Sequence, residues 1–379
     1  MTDVEAFRAE VRGWLDAHIP PDLRGAQLAD ADDPAVLERM RAWNRDLADA
    51  GYAAIAWPEE YGGRGASPHE QVVLAEELSR AEAPPGLNPI GISNIAPAIM
   101  TYGTSEQKER HLRRMLRADD IWCQGFSEPD AGSDLASLRA SAVQDGDHFV
   151  VNGQKVWTTL GHLADWCELL VRTDPAAPKH KGISCLLVDM TLPGVEVRPL
   201  VTITGGREFN ALFFDDVRVP ADCLLGPLND GWRVAITTLA NERASVANLH
   251  LGLGKKVQRV LAAAQANGSA SDPIVRQRLA GAVTDHRLLE LLAGRAVESA
   301  AAGRPPGPEG SLAKLVWSVA NQDLAETAGA VLGEEGNTGE WGRERVYVRA
   351  LTIAGGTTEV NKNLLGERVL GLPRENLQP

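Results

Sequence analysis

One carboxylate stands inside an apolar helical stripe. Between Gly231 and Leu249, a turn of 100° per residue brings Ala235, Leu239, Glu242, Val246 and Leu249 onto one narrow face. A carboxylate facing apolar surroundings must be compensated, because its charge is costly to bury. If desolvation dominates, its pKa rises toward the range in which a carboxylate serves as general base near neutral pH. The alternative is a salt bridge, to Arg243 or to an arginine elsewhere, with no part in chemistry.

Three further segments carry groups suited to a ligand. Gly125-Phe126-Ser127-Glu128-Pro129-Asp130-Ala131-Gly132-Ser133-Asp134 is rich in turn residues, and offers backbone N–H groups and two hydroxyls to a molecule with polar ring edges and phosphates. An ordinary turn has the same composition, and the G-x-G-x-x-G dinucleotide pattern is absent from it. Trp157-Thr158-Thr159 follows a strand-like run, where a Trp could cover an aromatic ring while a Thr hydroxyl bonds a ring nitrogen. A Trp packed in a core is the alternative. Leu351 to Asn363 places Gly355-Gly356-Thr357-Thr358 inside an otherwise helical stretch, so it reads either as a close backbone approach to a ligand or as a plain helix junction.

The elements that must position these groups change period twice. From Val4 to about Arg117 the apolar residues recur at helical intervals, broken near Pro20-Pro21, Gly62-Gly63 and Pro84-Pro85-Gly86. One helix is predicted to start near Ser67-Pro68, and another at a Ser105 cap with Lys108 at the boxing position. His148 to Trp157 reads as a hairpin of two short strands about Asn152-Gly153. Cys167 to Val171, Ile183 to Val188, Val195 to Leu200 and Asn210 to Phe214 are further strands. Long helices return over Val246 to Ala264, Ile274 to Ala301 and Leu312 to Leu332. The expected fold class is α+β: an all-helical domain over 1–119, a middle antiparallel β-barrel or sandwich over 120–225, and a C-terminal four-helix bundle over 226–379.

The bulk properties narrow the function classes. With 38 Lys+Arg against 51 Asp+Glu, the 379-residue chain carries a formal charge of -13 and lacks the basic footprint of a nucleic-acid binder. No apolar run reaches the roughly 18–20 residues of a membrane span, and the start mixes acids and bases rather than zoning them as a signal peptide does. The reading is a cytoplasmic protein. Cys123, Cys167, Cys185 and Cys223 are too widely spaced for a compact metal site or a disulfide framework, so no metal is expected.

In this order and spacing the segments resemble the acyl-CoA dehydrogenase family over essentially the whole chain, including Tyr102-Gly103-Thr104-Ser105-Glu106-Gln107-Lys108 and Glu367-Arg368-Val369-Leu370-Gly371-Leu372-Pro373-Arg374. The resemblance implies non-covalent FAD and an acyl-CoA substrate that is oxidised to the trans-2-enoyl thioester. It implies that Gln124, Phe126 and Ser127 line the flavin, that Trp157 packs near it, and that Thr159 bonds its ring. It places Thr357 and Glu359 at the flavin phosphates or ribose, and Ser133 and Arg243 on the CoA side. Electron-transferring flavoprotein is the implied acceptor.

The chain departs from the family pattern at the base. Where many members carry Tyr-Glu-Gly-Thr, this sequence has Ala354-Gly355-Gly356-Thr357, so Gly355 replaces the usual glutamate. Glu242 occupies the position used instead by a smaller group, resembling the isovaleryl and long-chain dehydrogenases and bacterial sterol side-chain enzymes. Moving the base could free room around Cα for branched or bulky acyl groups. The family's Arg-x-Phe-Gly segment is missing from Gln265 to Pro273, and its Gln-x-x-Gly-Gly stretch is altered to Glu326-Thr327-Ala328-Gly329-Ala330. Either a homo-oligomer, dimeric or tetrameric, or a heterotetramer with a related subunit that supplies flavin contacts is consistent with this. Competing activities on the same fold are an acyl-carrier-protein thioester dehydrogenase and a flavin monooxygenase. A non-catalytic partner subunit is a further alternative.

Overall fold

The computed structural model describes residues 3–244, 248–304 and 307–373. Its contacts form two compact bodies, residues 1–67 with 80–242, and residues 68–79 with 243–379.

The first body begins with helices α1 (Asp3–His18), α2 (Pro34–Asp49), α4 (Ala96–Tyr102) and α5 (Ser105–Leu116). Asp33 caps α2 by accepting from the Ala35 N–H, with Pro34 at the first helical position, where its missing N–H is no loss. The start of α5 corrects the Ser105 expectation: Thr104 is the cap, and Gln107 completes a reciprocal box with it. Gln107 is three residues beyond Thr104, the spacing that the box requires, whereas Ser105 would pair with Lys108, which has no acceptor to return.

Eight strands follow: β1 (Trp122–Gly125), β2 (Ser141–Asp145), β3 (His148–Thr159), β4 (Trp166–Arg172), β5 (Ile183–Asp189), β6 (Val195–Leu200), β7 (Phe209–Pro220) and β8 (Leu224–Leu225). They make one mostly antiparallel sheet in the order β6-β7-β3-β2-β4-β5-β8, with β1 paired in parallel to β4. The expected hairpin about Asn152-Gly153 is not there; His148–Thr159 is a single strand, and the tight turn lies earlier, where Asp145 pairs with His148. Asn152-Gly153 instead runs past a bulge in β7, where Asp215 and Asp216 stand opposite Asn152. Gly153 sits at φ 141 with a Cβ position only 2.7 Å from Ala140, and the Asn152 amide bonds both the Asp216 carboxylate and its N–H. A dipeptide suited to a turn can thus lie within a continuous strand opposite a bulge in its neighbour.

Helix α6 (Gly231–Ala244) closes the first body and packs Val234 and Ala235 into the core that joins Ile95, Ile99 and Met115 to Trp122, Leu170 and Leu187. Each such fully buried side chain stabilises the body by about 1.5–3 kcal/mol relative to exposure.

The second body contains α3 (Pro68–Arg80) for most of its length, and then α7 (Leu249–Ala266), α8 (Pro273–Ala301), α9 (Glu309–Leu332), α10 (Glu334–Asn337), α11 (Gly339–Tyr347) and α12 (Thr358–Leu364). Leu253, Val257, Leu279, Leu289, Leu324 and Val331 form the interior of the α7, α8 and α9 bundle. Asp272 caps α8 through the Ile274 and Val275 N–H groups. Leu249 lies in a different helix from Glu242, so the stripe drawn through both is not continuous; Val246 is outside the described residues. No helix among the described residues is long and apolar enough to cross a membrane.

Candidate active site

The turn after β1 is fixed by buried charge. Lys155 on β3 is fully buried, and its Nζ donates to the Phe126 carbonyl at 3.1 Å and to Glu128 Oε1 at 2.9 Å. Glu128 accepts two more bonds, from the Ala140 N–H at 2.8 Å and the Arg139 N–H at 2.7 Å. Burial by itself would raise the Glu128 pKa, but the Lys155 charge and the backbone donors outweigh it and hold the carboxyl below its ordinary value. The Ser127 carbonyl accepts from the Val156 N–H at 2.9 Å, which sets Phe126-Ser127 beside the strand leading to Trp157. Phe126 itself is buried, Ser127 is half-buried and Ser133, farther round the turn, is exposed.

Trp157 does not enter the core. It is 60% exposed, meets Phe209 edge-on at 5.9 Å, and sits at the second β3–β7 bulge with φ 61. A bulky side chain at positive φ costs on the order of 1–3 kcal/mol, and such strain concentrates where function needs a side chain aimed. Thr159 is half-buried at the end of the same strand. Gln124 on β1 is half-buried; its Oε1 accepts from Asn94 at 3.4 Å while its Nε2 is buried with no hydrogen bond of ordinary geometry.

Glu242 lies in the last turn of α6, half-buried. The helix face turned inward consists of Gly231, Val234, Ala235 and Thr238, with Leu239 partly buried, and 100° steps put Glu242 on that face. The side chain of Arg243 is outside the described residues. The first body therefore holds Gln124, Phe126, Ser127, Ser133, Trp157, Thr159 and Glu242.

Thr357 and Glu359 belong to the second body. Gly355 and Gly356 adopt φ 63 and 86, after which the Thr357 hydroxyl caps α12 by accepting from the Val360 N–H at 3.2 Å. Asn361, buried, braces the turn by donating to the Gly356 and Thr357 carbonyls, both at 3.0 Å. Glu359 is exposed in the first turn of α12, where a negative charge favours the helix dipole.

Sequence reasoning missed a second carboxylate in the first body. Glu168 on β4 is 0% exposed; its Oε1 accepts from Thr238 Oγ1 at 2.8 Å and faces Cys185 Sγ at 3.9 Å, while its Oε2 is buried without a partner. Burial pushes its pKa up to about 8, against the Thr238, Gln124 and Cys185 donors. The signal was present in Trp166-Cys167-Glu168-Leu169-Leu170-Val171, one acid in an apolar run. Lys155 continues the inward alternation of Phe149 and Val151, and it was hidden because reading a hairpin at Asn152-Gly153 broke that alternation.

Three family models match successive stretches: the acyl-CoA dehydrogenase N-terminal domain over residues 1–119, its middle domain over 123–217 and its C-terminal domain over 229–370. The chain belongs to the acyl-CoA dehydrogenase family, and is an FAD-dependent acyl-CoA dehydrogenase. It is 43% identical over 385 residues to the acyl-CoA dehydrogenase IpdE1 of Mycobacterium tuberculosis, covering 99% of both chains. Among solved structures it resembles the Tcur3481-Tcur3483 steroid ACAD, with TM-score 0.87 and 32% identity over 99% of each chain. The ChsE4-ChsE5 complex from Mycobacterium tuberculosis is similar, with TM-score 0.85 and 33% identity over 99% of each chain.

The residues present fit FAD. An exposed, strained Trp157, the half-buried Gln124 amide and the hydroxyls of Ser127 and Thr159 supply an aromatic face and polar groups within one body, as a flat ring with polar edges requires.

Proposed function

We propose that Glu242 is the base of this dehydrogenase, and that Gln124, Phe126, Ser127, Trp157 and Thr159 hold the flavin ring, with Thr357 and Glu359 toward its phosphates or ribose and Ser133 and Arg243 toward CoA. The observation that carries the assignment is paired. The segment that holds the glutamate in many relatives has Gly355 here, at φ 63, a left-handed conformation that costs a residue with Cβ roughly 1–2 kcal/mol. Glu242 meanwhile lies on the inward face of α6 in the body that carries the flavin-ring residues.

In this reading the Glu242 carboxylate removes the Cα proton of the acyl thioester. Half-burial at the end of α6 limits competition from water for that proton. FAD, when bound, supplies the two-electron oxidant that takes hydride from Cβ. The Lys155–Glu128 pair keeps Phe126 and Ser127 in place, so that the turn is organised before the cofactor arrives. Glu242→Gln keeps the shape and removes the basicity. Anaerobic stopped-flow reduction of bound flavin by an acyl-CoA should slow by about 10²–10⁴-fold, and an unchanged rate with FAD still bound would overturn the assignment.

We further propose a branched or bulky acyl group, of the steroid-derived kind, with a related subunit completing the assembly. The similarity to a chain named as a steroid ACAD and to a two-component complex supports both points, as does the absence of the Arg-x-Phe-Gly segment. The same reading places the enzyme in the cytoplasm with electron-transferring flavoprotein as acceptor. It assigns the three domains to 1–119, 120–225 and 226–379. A panel of straight, branched and steroid-side-chain acyl-CoAs in which only short straight chains bleached the flavin would exclude the bulky substrate. Light scattering that showed the chain alone to be an FAD-replete homo-oligomer would exclude the mixed assembly.

A further inference from the structure

Asn94, Gln124, Glu168 and Thr238 form a polar chain through the interior of the first body. It starts at the π-helical turn Gly91–Ile95, crosses β1 and β4, and ends on α6 one turn before Glu242. Gln124 and Glu168 occupy paired positions of the parallel β1 and β4 strands. The amide of Gln124 favours the charged form of Glu168, yet Gln124 Nε2 and Glu168 Oε2 are both left buried without a partner of ordinary geometry. With the amide this way round, the Gln124 N–H serves only an ionised Glu168, whose charge is costly in a dry interior that supplies no counter-ion. A neutral Glu168 donates from Oε2, and the acceptor within reach is the Gln124 oxygen, reached by turning the Gln124 and Asn94 amides over together so that a bond between them is kept; the two orientations of an amide differ only in which end is oxygen.

We propose that Glu168 is a positioning residue for the dehydrogenation: in its protonated form it fixes the direction of the Gln124 amide toward the flavin site and holds α6 through Thr238, and its ionisation disables both. The inference rests on the placement of Gln124 at the flavin under the reading above.

The surroundings of Glu168 contain no counter-charge that could hold it ionised. From β5 the facing group is the Cys185 thiol, which burial pushes well above its ordinary value and which therefore stays neutral. From β1 and α6 the facing groups are the Gln124 amide and the Thr238 hydroxyl, and Asn94 adds a second amide behind Gln124. Among the described residues no Lys, Arg or His contributes to its ionisation. An ionised Glu168 would put a lone negative charge beneath the helix that carries the base, where it opposes the negative charge that develops on the substrate as the Cα proton leaves.

The test uses FAD-loaded enzyme, together with its partner subunit where FAD retention requires one, as wild type, Glu168→Gln and Glu168→Leu. Glutamine copies the neutral acid, since it accepts from Thr238 and donates to Gln124, but it cannot titrate. In the wild type the flavin-reduction rate should fall at least threefold as pH rises through about 8. Glu168→Gln should keep the neutral-pH rate within about twofold and lose that fall. Glu168→Leu, which neither donates nor accepts, should be slower at every pH. An alkaline fall that persists unchanged in Glu168→Gln, or wild-type kinetics in Glu168→Leu, would overturn the proposal. Infrared difference spectra between neutral and alkaline pH give a readout independent of turnover. A carboxylic-acid carbonyl band that disappears on raising the pH, and is missing from Glu168→Gln, supports the neutral acid; a wild type without that band at neutral pH overturns it. If Glu242→Gln were fully active while these Glu168 results held, the base assignment would fail and the positioning role would stand.

Discussion

Glu128 and Glu168 are the same residue type, both buried in the first body, and their surroundings push their pKa values in opposite directions. Glu128 meets the Lys155 ammonium and two backbone N–H groups, which together outweigh desolvation and keep it charged. Glu168 meets a hydroxyl, a thiol and an amide, none of them charged, and desolvation wins. Depth does not decide whether a buried carboxylate is an anion; the charge and donor count of its partners do. The first holds a turn fixed through its charge, whereas burial favours the protonated form of the second.

The sharpest way to break this contrast is Lys155→Met. It leaves the Glu128 charge buried with backbone donors alone, and should cost about 3–5 kcal/mol of stability in urea unfolding, with loss of FAD from the disordered turn. Adding Glu128→Gln should recover part of that loss, and a double-mutant cycle with no coupling would show that the pair is not a unit.

The pH dependence of stability separates the two carboxylates more gently, because their shifts have opposite sign. Glu168 has its folded pKa at about 8, above the roughly 4.3 of an unfolded glutamate. Below the unfolded value both states hold the proton. As pH rises from there toward 8 the unfolded chain releases it and the folded one does not, so stability declines, by on the order of 5 kcal/mol in total, and levels off above that. Glu168→Gln should remove this decline from the difference in unfolding free energy between pH 5 and pH 9. For Glu128, whose folded pKa is lowered, the contribution is present above the unfolded value and is lost as pH falls through the folded one. Glu128→Gln should accordingly flatten the acid limb and leave the alkaline one.

The smallest effect is expected at Thr357, where the polar group is a helix cap rather than a buried partner. Thr357→Ala should cost about 0.5–2 kcal/mol in thermal unfolding of the second body. The same change should weaken FAD affinity only if the residue also reaches the cofactor, which a fluorescence titration of FAD into apoprotein would reveal.

Much of this was legible locally. The three-part alternation of helical, strand and helical periods, the helix starting at Pro68, and the strands at Cys167, Ile183 and Val195 all follow from apolar spacing and turn residues, and the structure contains them. Glu242 was visible as a charge in an apolar stripe, and it does lie on the inward face of α6, although the stripe ends with the helix. The Thr104 cap was misplaced by one residue because Ser and Thr both suit the role, and the position of Gln107 decides between them. Asn152-Gly153 was read as a turn because both residues tolerate positive φ. Only the approach of Ala140 and the β7 bulge at Asp216, which bonds the Asn152 amide, carry the strand straight through it.

The sequence by itself determined the order and kind of elements, and it set Gly355 where many relatives carry a glutamate while leaving Glu242 in the α6 helix as the carboxylate proposed for base, because periodicity and residue identity are properties of neighbours along the chain. Which carboxylates keep their charge was decided only by the tertiary structure. Lys155 stands 27 residues from Glu128 and Thr238 stands 70 from Glu168, and a side chain's ionisation answers to the dielectric and donors that folding brings around it.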